Sequence, residues 1–116
     1  MVDDESKIDL VTAISGSGPA YVFYFIEALE QAGLELGLSA EQARTLSLQT
    51  FLGASQLASQ VETPAATLRA QVTSKGGTTE RALLSLEQDG IKPAIIRAAR
   101  AAAERARELG EQLGKD

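Results

Sequence analysis

Cysteine and histidine are both missing from the 116 residues. Without thiols there is no disulfide, no thiolate metal site and no thiol nucleophile. Without imidazole the commonest general base, the commonest zinc ligand and every Ser-His pair are gone. Any chemistry falls to hydroxyls, carboxylates, lysine, backbone amides or a cofactor held elsewhere, and no metal is expected. Positive charge is scarce: 11 Lys and Arg stand against 16 Asp and Glu, for a net charge of −5. That balance argues against a nucleic-acid surface. Aromatics make up only 4%, and alanine-rich tracts such as "RAARAAAERAR" take their place. Small side chains of this kind favour close helix-on-helix packing. The most apolar stretch, "AYVFYFI", falls short of membrane-spanning length and runs into Glu27 and Glu30. The acidic start "MVDDESK" is the reverse of a secretory n-region. A soluble cytoplasmic protein that binds neither nucleic acid nor membrane is expected.

What is present reads as one all-α domain over residues 1–116, a bundle of about five helices. Val2 to Ile14 forms a short helix with carboxylates at its positive end. "SGSGP" interrupts it, and Pro19, tolerated in a first turn, opens the next. That second helix, about Pro19 to Leu36, is apolar nearly all round, so it is central and needs cover on several sides, from a partner chain in so small a domain. Gly37 followed by Leu38 has the pattern of a Schellman stop. Ser39 with Gln42 forms a capping box for a third helix, antiparallel to the second, with Ala43, Leu46, Phe51, Leu52, Ala54, Leu57, Ala58 and Val61 as its core face. Thr63 as N-cap with Pro64 at the first helical position starts a short segment to about Val72.

A helix from Thr78 to Gln88 ends at Asp89-Gly90, and the last runs from about Pro93 to Leu113. In the last helix Ile95, Ala99, Ala102, Ala106, Leu109 and Leu113 form a heptad-like stripe that wants a facing helix. Arg100–Glu104 and Arg107–Glu111 are placed to pair on its other side. Tyr21 and Tyr24 are candidate proton donors, although helix tyrosines of this kind are more often core.

"TSKGGTTERAL", Thr73 to Leu83, is the stretch with chemical content. A helix start exposes unpaired N–H groups and the positive end of a dipole. Gly76 and Gly77 let a ligand approach the backbone, and Ser74, Thr78 and Thr79 add hydroxyls. A carboxylate or phosphate fits, with Lys75 adding charge. The plainer alternative is a tight turn with Thr78 or Thr79 as an N-cap. The loop lacks the Walker A order, and "GSGPAY" at Gly16 to Tyr21 fails as a dinucleotide fingerprint.

"AISGSGPAYVFYFIEAL" and, further along, "QVTSKGGTTERALLSLE" together closely resemble the C-terminal domain of pyrroline-5-carboxylate reductase, the family that performs the last step of proline biosynthesis. The resemblance covers nearly the whole chain. It implies an interlocked homodimer or a larger oligomer of dimers, with the active site at the dimer interface below the nicotinamide. It also implies an N-terminal Rossmann domain that binds NADPH or NADH. These residues have no βαβ pattern and no G-x-G-x-x-G, so that domain is expected to be absent and "VDDES" to mark its boundary. The 116 residues alone are then expected to bind no nucleotide and to be inactive.

By the same resemblance Ser74, Gly76, Gly77 and Thr78 hold the carboxylate of pyrroline-5-carboxylate or proline through backbone amides and the serine. Thr79 sets its hydroxyl against the imine nitrogen while hydride arrives at the adjacent carbon. Ser17, Gly18 and Pro19 approach the nicotinamide. Lys75 stands where the family usually has proline; it leaves the loop more mobile, or its ammonium supplements the anion site. Two alternatives stand beside this. One is the helical domain of a β-hydroxyacid or 6-phosphogluconate-type dehydrogenase, disfavoured because the second and third helices carry no lysine. The other is a non-catalytic helical dimerisation module.

Overall fold

Residues 4–114 are described in the computed structural model, and every regular element among them is helical. In order they are α1 (Asp4–Val11), a π-helical turn (Thr12–Gly16), α2 (Gly18–Glu35), α3 (Ala40–Gln60), α4 (Ala65–Gln71), α5 (Thr78–Gln88) and α6 (Ile91–Gly114). The chain is all-α, as expected. Val2 and Asp3, assigned above to the first helix, lie outside the described residues. The described residues fall into two compact units, one of residues 4–21 with 85–114 and one of residues 22–84.

In the first unit α1, the π turn and α6 pack on one another. The first helix does not stop at Ile14; it widens at Thr12 and runs to Gly16. Hydroxyls explain the change of register. Thr12 Oγ1 donates to the Ile8 carbonyl at 2.8 Å and Ser15 Oγ to the Val11 carbonyl at 3.0 Å, bonds that compete with the regular ladder. The Ser17 amide then reaches back to the Thr12 carbonyl at 2.8 Å, a span of five residues. Ala13, in the middle of this turn, is buried. Gly90, at φ 65°, ends α5, and α6 begins at Ile91 with Pro93 in its first turn, where a missing N–H costs nothing. On α6 the middle of the apolar stripe, Ala99, Ala102 and Ala106, is half-buried, while Ile95, Leu109 and Leu113 remain exposed. One expected ion pair is replaced: Glu104 accepts from Arg107 instead of Arg100, and Arg107 also holds Glu111, at 2.6 Å. A carboxylate ahead of its cation suits the helix dipole better than the reverse order.

In the second unit α2 ends as the sequence proposes. The Leu38 amide bonds the Gly33 carbonyl at 2.9 Å, the Gly37 amide bonds the Leu34 carbonyl at 3.1 Å, and Gly37 sits at φ 108°. These are the two bonds of a Schellman motif. Ser39 and Gln42 exchange side-chain bonds at 3.0 and 3.1 Å, completing the capping box at the start of α3. The helices run antiparallel: Phe25 meets Phe51 edge-on at 5.2 Å, and Gly33 lies against Ala43. A Cβ on Gly33 would come within 3.0 Å of Ala43 Cβ, so this approach requires glycine. Thr63 is not the N-cap of α4. Pro64 takes that place with ψ 147°, its carbonyl accepting the Thr67 and Leu68 amides, and the helix starts one residue later.

Burial within one copy is sparse. Ala13, Ala43 and Ser47 are the buried residues among those described. On the face expected to be core in α3, Leu46, Leu52 and Leu57 are at least half exposed, and on α2 Phe23 is 68% and Tyr24 75% exposed. Tyr24 is therefore not a core residue of the protomer.

Candidate functional site

Ser74 to Gly77 is a type II turn. The Gly77 amide donates to the Ser74 carbonyl at 3.0 Å and Gly76, at the third position, has φ 77°. Both glycines are demanded by the backbone. Gly76 occupies a conformation that side chains disfavour, and a Cβ on Gly77 would lie 3.2 Å from the Ser74 carbonyl oxygen. Lys75 falls at the second turn position, where proline is the favoured residue. The tight turn anticipated as the plainer alternative is therefore real.

Its second half does not hold. Neither Thr78 nor Thr79 caps α5, and among the described residues neither hydroxyl has a hydrogen-bond partner. Gly77 precedes the helix and its carbonyl accepts the Arg81 amide at 3.3 Å. At the start of α3, by contrast, the Ser39 side chain takes the Gln42 amide. Gly77 has no side chain to do the same. Among the described residues the amides of Thr78, Thr79 and Glu80 therefore find no acceptor, and all three sit at the positive end of the helix dipole. Thr79 is half-buried, while Ser74, Lys75 and Thr78 are exposed. The turn thus gathers Ser74, Gly76, Gly77, Thr78 and Thr79 at the entrance to one helix, with donors and hydroxyls suited to a small anion.

One participant escaped the sequence. The Glu80 carboxylate reaches back to accept the Gly76 amide at 3.1 Å. The available signal was a Glu three residues after the N-cap, half of a capping box, but the glycine N-cap removes the other half. The amides of Gly76 and Gly77 are thus engaged within the chain, and the outward-facing donors are one step further on.

Ser17, Gly18 and Pro19 lie in the first unit, directly after the π turn. Tyr21 donates its phenol to the Ala13 carbonyl at 2.8 Å, which ties the start of α2 to that turn. A Cβ on Gly18 would meet nothing within 4 Å. In the second unit an apolar groove of about 280 Å³ runs between α2 and α3, lined by Leu29, Leu36, Leu38 and Leu46 among others. Its lining offers no charge and includes none of the loop, so it does not suit an anion. Among the described residues no group of three or more acidic side chains is arranged to hold a metal ion, and no helix is long and apolar enough to cross a membrane.

Residues 5–109 match the family model described as pyrroline-5-carboxylate reductase dimerisation. A pyrroline-5-carboxylate reductase of Pseudomonas aeruginosa is 51% identical over 98% of this chain and 42% of its own length. A crystal structure of Plasmodium falciparum pyrroline carboxylate reductase with NADP bound superposes with a TM-score of 0.88 at 38% identity, covering 94% of this chain and 41% of that one. The structure of a Coxiella burnetii pyrroline-5-carboxylate reductase gives the same TM-score at 46% identity, covering 93% of this chain and 40% of that one. The chain thus spans about two fifths of the length of the relatives it matches.

Proposed function

The chain belongs to the pyrroline-5-carboxylate reductase dimerisation family, and from that premise we propose that it forms the subunit-pairing and substrate-holding part of an enzyme that reduces 1-pyrroline-5-carboxylate to proline. The turn before α5 carries the proposal, because it leaves the amides of Thr78, Thr79 and Glu80 without acceptors beside free threonine hydroxyls. The substrate is a small cyclic imine with one carboxylate, and these are the groups such a molecule calls for. Ser74, Gly76, Gly77 and Thr78 shape the carboxylate cradle, the two glycines by setting the turn and the others by donating.

Thr79 hydrogen-bonds the imine nitrogen. NADPH or NADH, held largely by residues beyond this chain, would supply hydride to the adjacent carbon of the protonated imine, whose C=N π pair becomes the amine lone pair while the nitrogen keeps its proton. Ser17, Gly18 and Pro19 approach the nicotinamide, as the family resemblance implies. What these residues contribute is alignment of the two reactants, a proximity effect. Two copies of the chain wall in the site, which is consistent with the apolar surface left open on each. The enzyme works in the cytoplasm as a homodimer or a larger assembly of dimers, and the 116 residues by themselves do not turn over.

The test is steady-state NADPH oxidation by the full-length enzyme. A threonine is a weak acid and positions more than it protonates, so Thr79→Ala should lower kcat by roughly 10–100-fold, short of the usual general-acid contribution. Turnover equal to wild type would remove Thr79 from the mechanism.

A further inference from the structure

We propose that Glu80 is a positioning residue for the substrate cradle, acting through the Ser74–Gly77 turn; the inference rests on the function proposed above. A type II turn satisfies one of its own amides, here that of Gly77 on the Ser74 carbonyl. The amide at the third position points away from that bond and is left to water or to another acceptor. Gly76 holds that position, and glycine loses more backbone freedom on ordering than any other residue. Lys75 ahead of it does nothing to fix φ, as proline would. The turn therefore has a loose residue at each central position.

The Glu80 carboxylate supplies the missing restraint. It rises from the first turn of α5 and accepts the Gly76 amide at 3.1 Å, and Glu80 is half-buried. This is the backward reach of a capping box, but carried one residue beyond the N-cap and without the reciprocal side-chain bond. The asymmetry matters. A full box would occupy a helix amide as well, whereas this clamp fixes the turn and leaves the amides of Thr78, Thr79 and Glu80 open. Glu80 thus does for the turn what a proline at position 75 would do through its ring.

Kinetics of the full-length reductase with pyrroline-5-carboxylate test the proposal, after thermal melts have shown equal helix content for each variant. Glu80→Ala should raise KM about two- to five-fold, the effect of freeing one backbone residue, with kcat within two-fold of wild type. Glu80→Gln keeps an acceptor oxygen and should stay nearer wild type. Lys75→Pro should lower KM more in the Glu80→Ala background than in the wild type, because the two restraints substitute for each other.

A fall in KM in both Glu80 variants would mean that the carboxylate merely repels or competes with the substrate, and would overturn the clamp. So would a loss in kcat with KM unmoved, or a Lys75→Pro effect equal in both backgrounds. Gly77→Leu separates loss of the clamp from loss of the cradle. If it raises KM while Glu80→Ala does not, the clamp fails and the cradle stands. If Gly77→Leu leaves KM untouched, the cradle itself is lost and the clamp with it.

Discussion

Tyr21 shows how much one side chain can settle. Its phenol donates to the Ala13 carbonyl across eight residues, and that carbonyl sits in the π turn, where the α-helical ladder is interrupted. The same turn also packs on α1 and α6, with Ala13 buried between them. Tyr21→Phe keeps the ring and removes the bond. It should lower the stability of the assembled protein by about 1 kcal/mol, the net value of one such bond, read from urea unfolding at fixed protein concentration. An unchanged midpoint would show that the π turn is held by other contacts. Glycines make the complementary point. The need for Gly76 and Gly37 follows from positive φ and is legible from their places in a turn and a helix stop. Gly33 is required by an approach to Ala43, on another helix, and nothing near it in sequence announces that.

At the scale of elements the sequence is most informative where helices start and stop. The Ser39–Gln42 box and the Gly37 stop involve residues within five positions of each other, so local chemistry suffices to specify them. Ser39→Ala should cost about 1 kcal/mol, the usual value of an N-cap, measured by chemical denaturation, and Ser39→Gly only a few tenths. Equal losses in both variants would assign the effect to the backbone instead of the cap. The α4 start shifts by one residue because Pro64 adopts an extended ψ, a choice between neighbouring geometries that composition does not resolve.

On α6 the pairing of Glu104 changed partner for a reason of direction along the helix. The Arg107 hydrogen bond, and secondly its charge, lower the Glu104 carboxyl below its ordinary 4.5, while the hydrogen bonds to Glu104 and Glu111 raise Arg107. A carboxyl that titrates lower when folded contributes stability above its unfolded value, and that contribution is lost as pH falls through the folded one. The pair is exposed, so the effect is small and screened by salt. Glu104→Gln should therefore lower Tm slightly near about pH 7 in low salt, and the gap should close near about pH 2. A gap that persists in acid would point to lost helix packing rather than lost charge.

For the molecule as a whole the deciding fact is what one copy fails to bury. Phe23, Tyr24, Leu46 and Leu52 are each more than half exposed, and apolar area of this kind is removed from water at about 25 cal/mol per Å². A second copy is the partner expected of a dimerisation family. Tm should then rise with protein concentration, as it does when folding and association are coupled. Phe23→Glu should give a poorly folded species or one of half the mass in sedimentation equilibrium. A variant that sediments and melts like wild type would take the Phe23 face out of the interface.

The sequence by itself determined the helical class, most helix boundaries and the turn ahead of α5, because each depends on interactions among residues a few positions apart. It also carried the two motifs by which the family is known. Three things waited for the tertiary structure: the π register at Thr12–Gly16, the Gly33–Ala43 approach and the hold of Glu80 on Gly76. The first and third turn on which of several competing acceptors a donor selects, and the second on two helices meeting. The apolar faces belong to the same class. A pattern of leucines and aromatics says that a surface must be covered, but whether its own chain covers it is a question of geometry, and here one copy leaves it open.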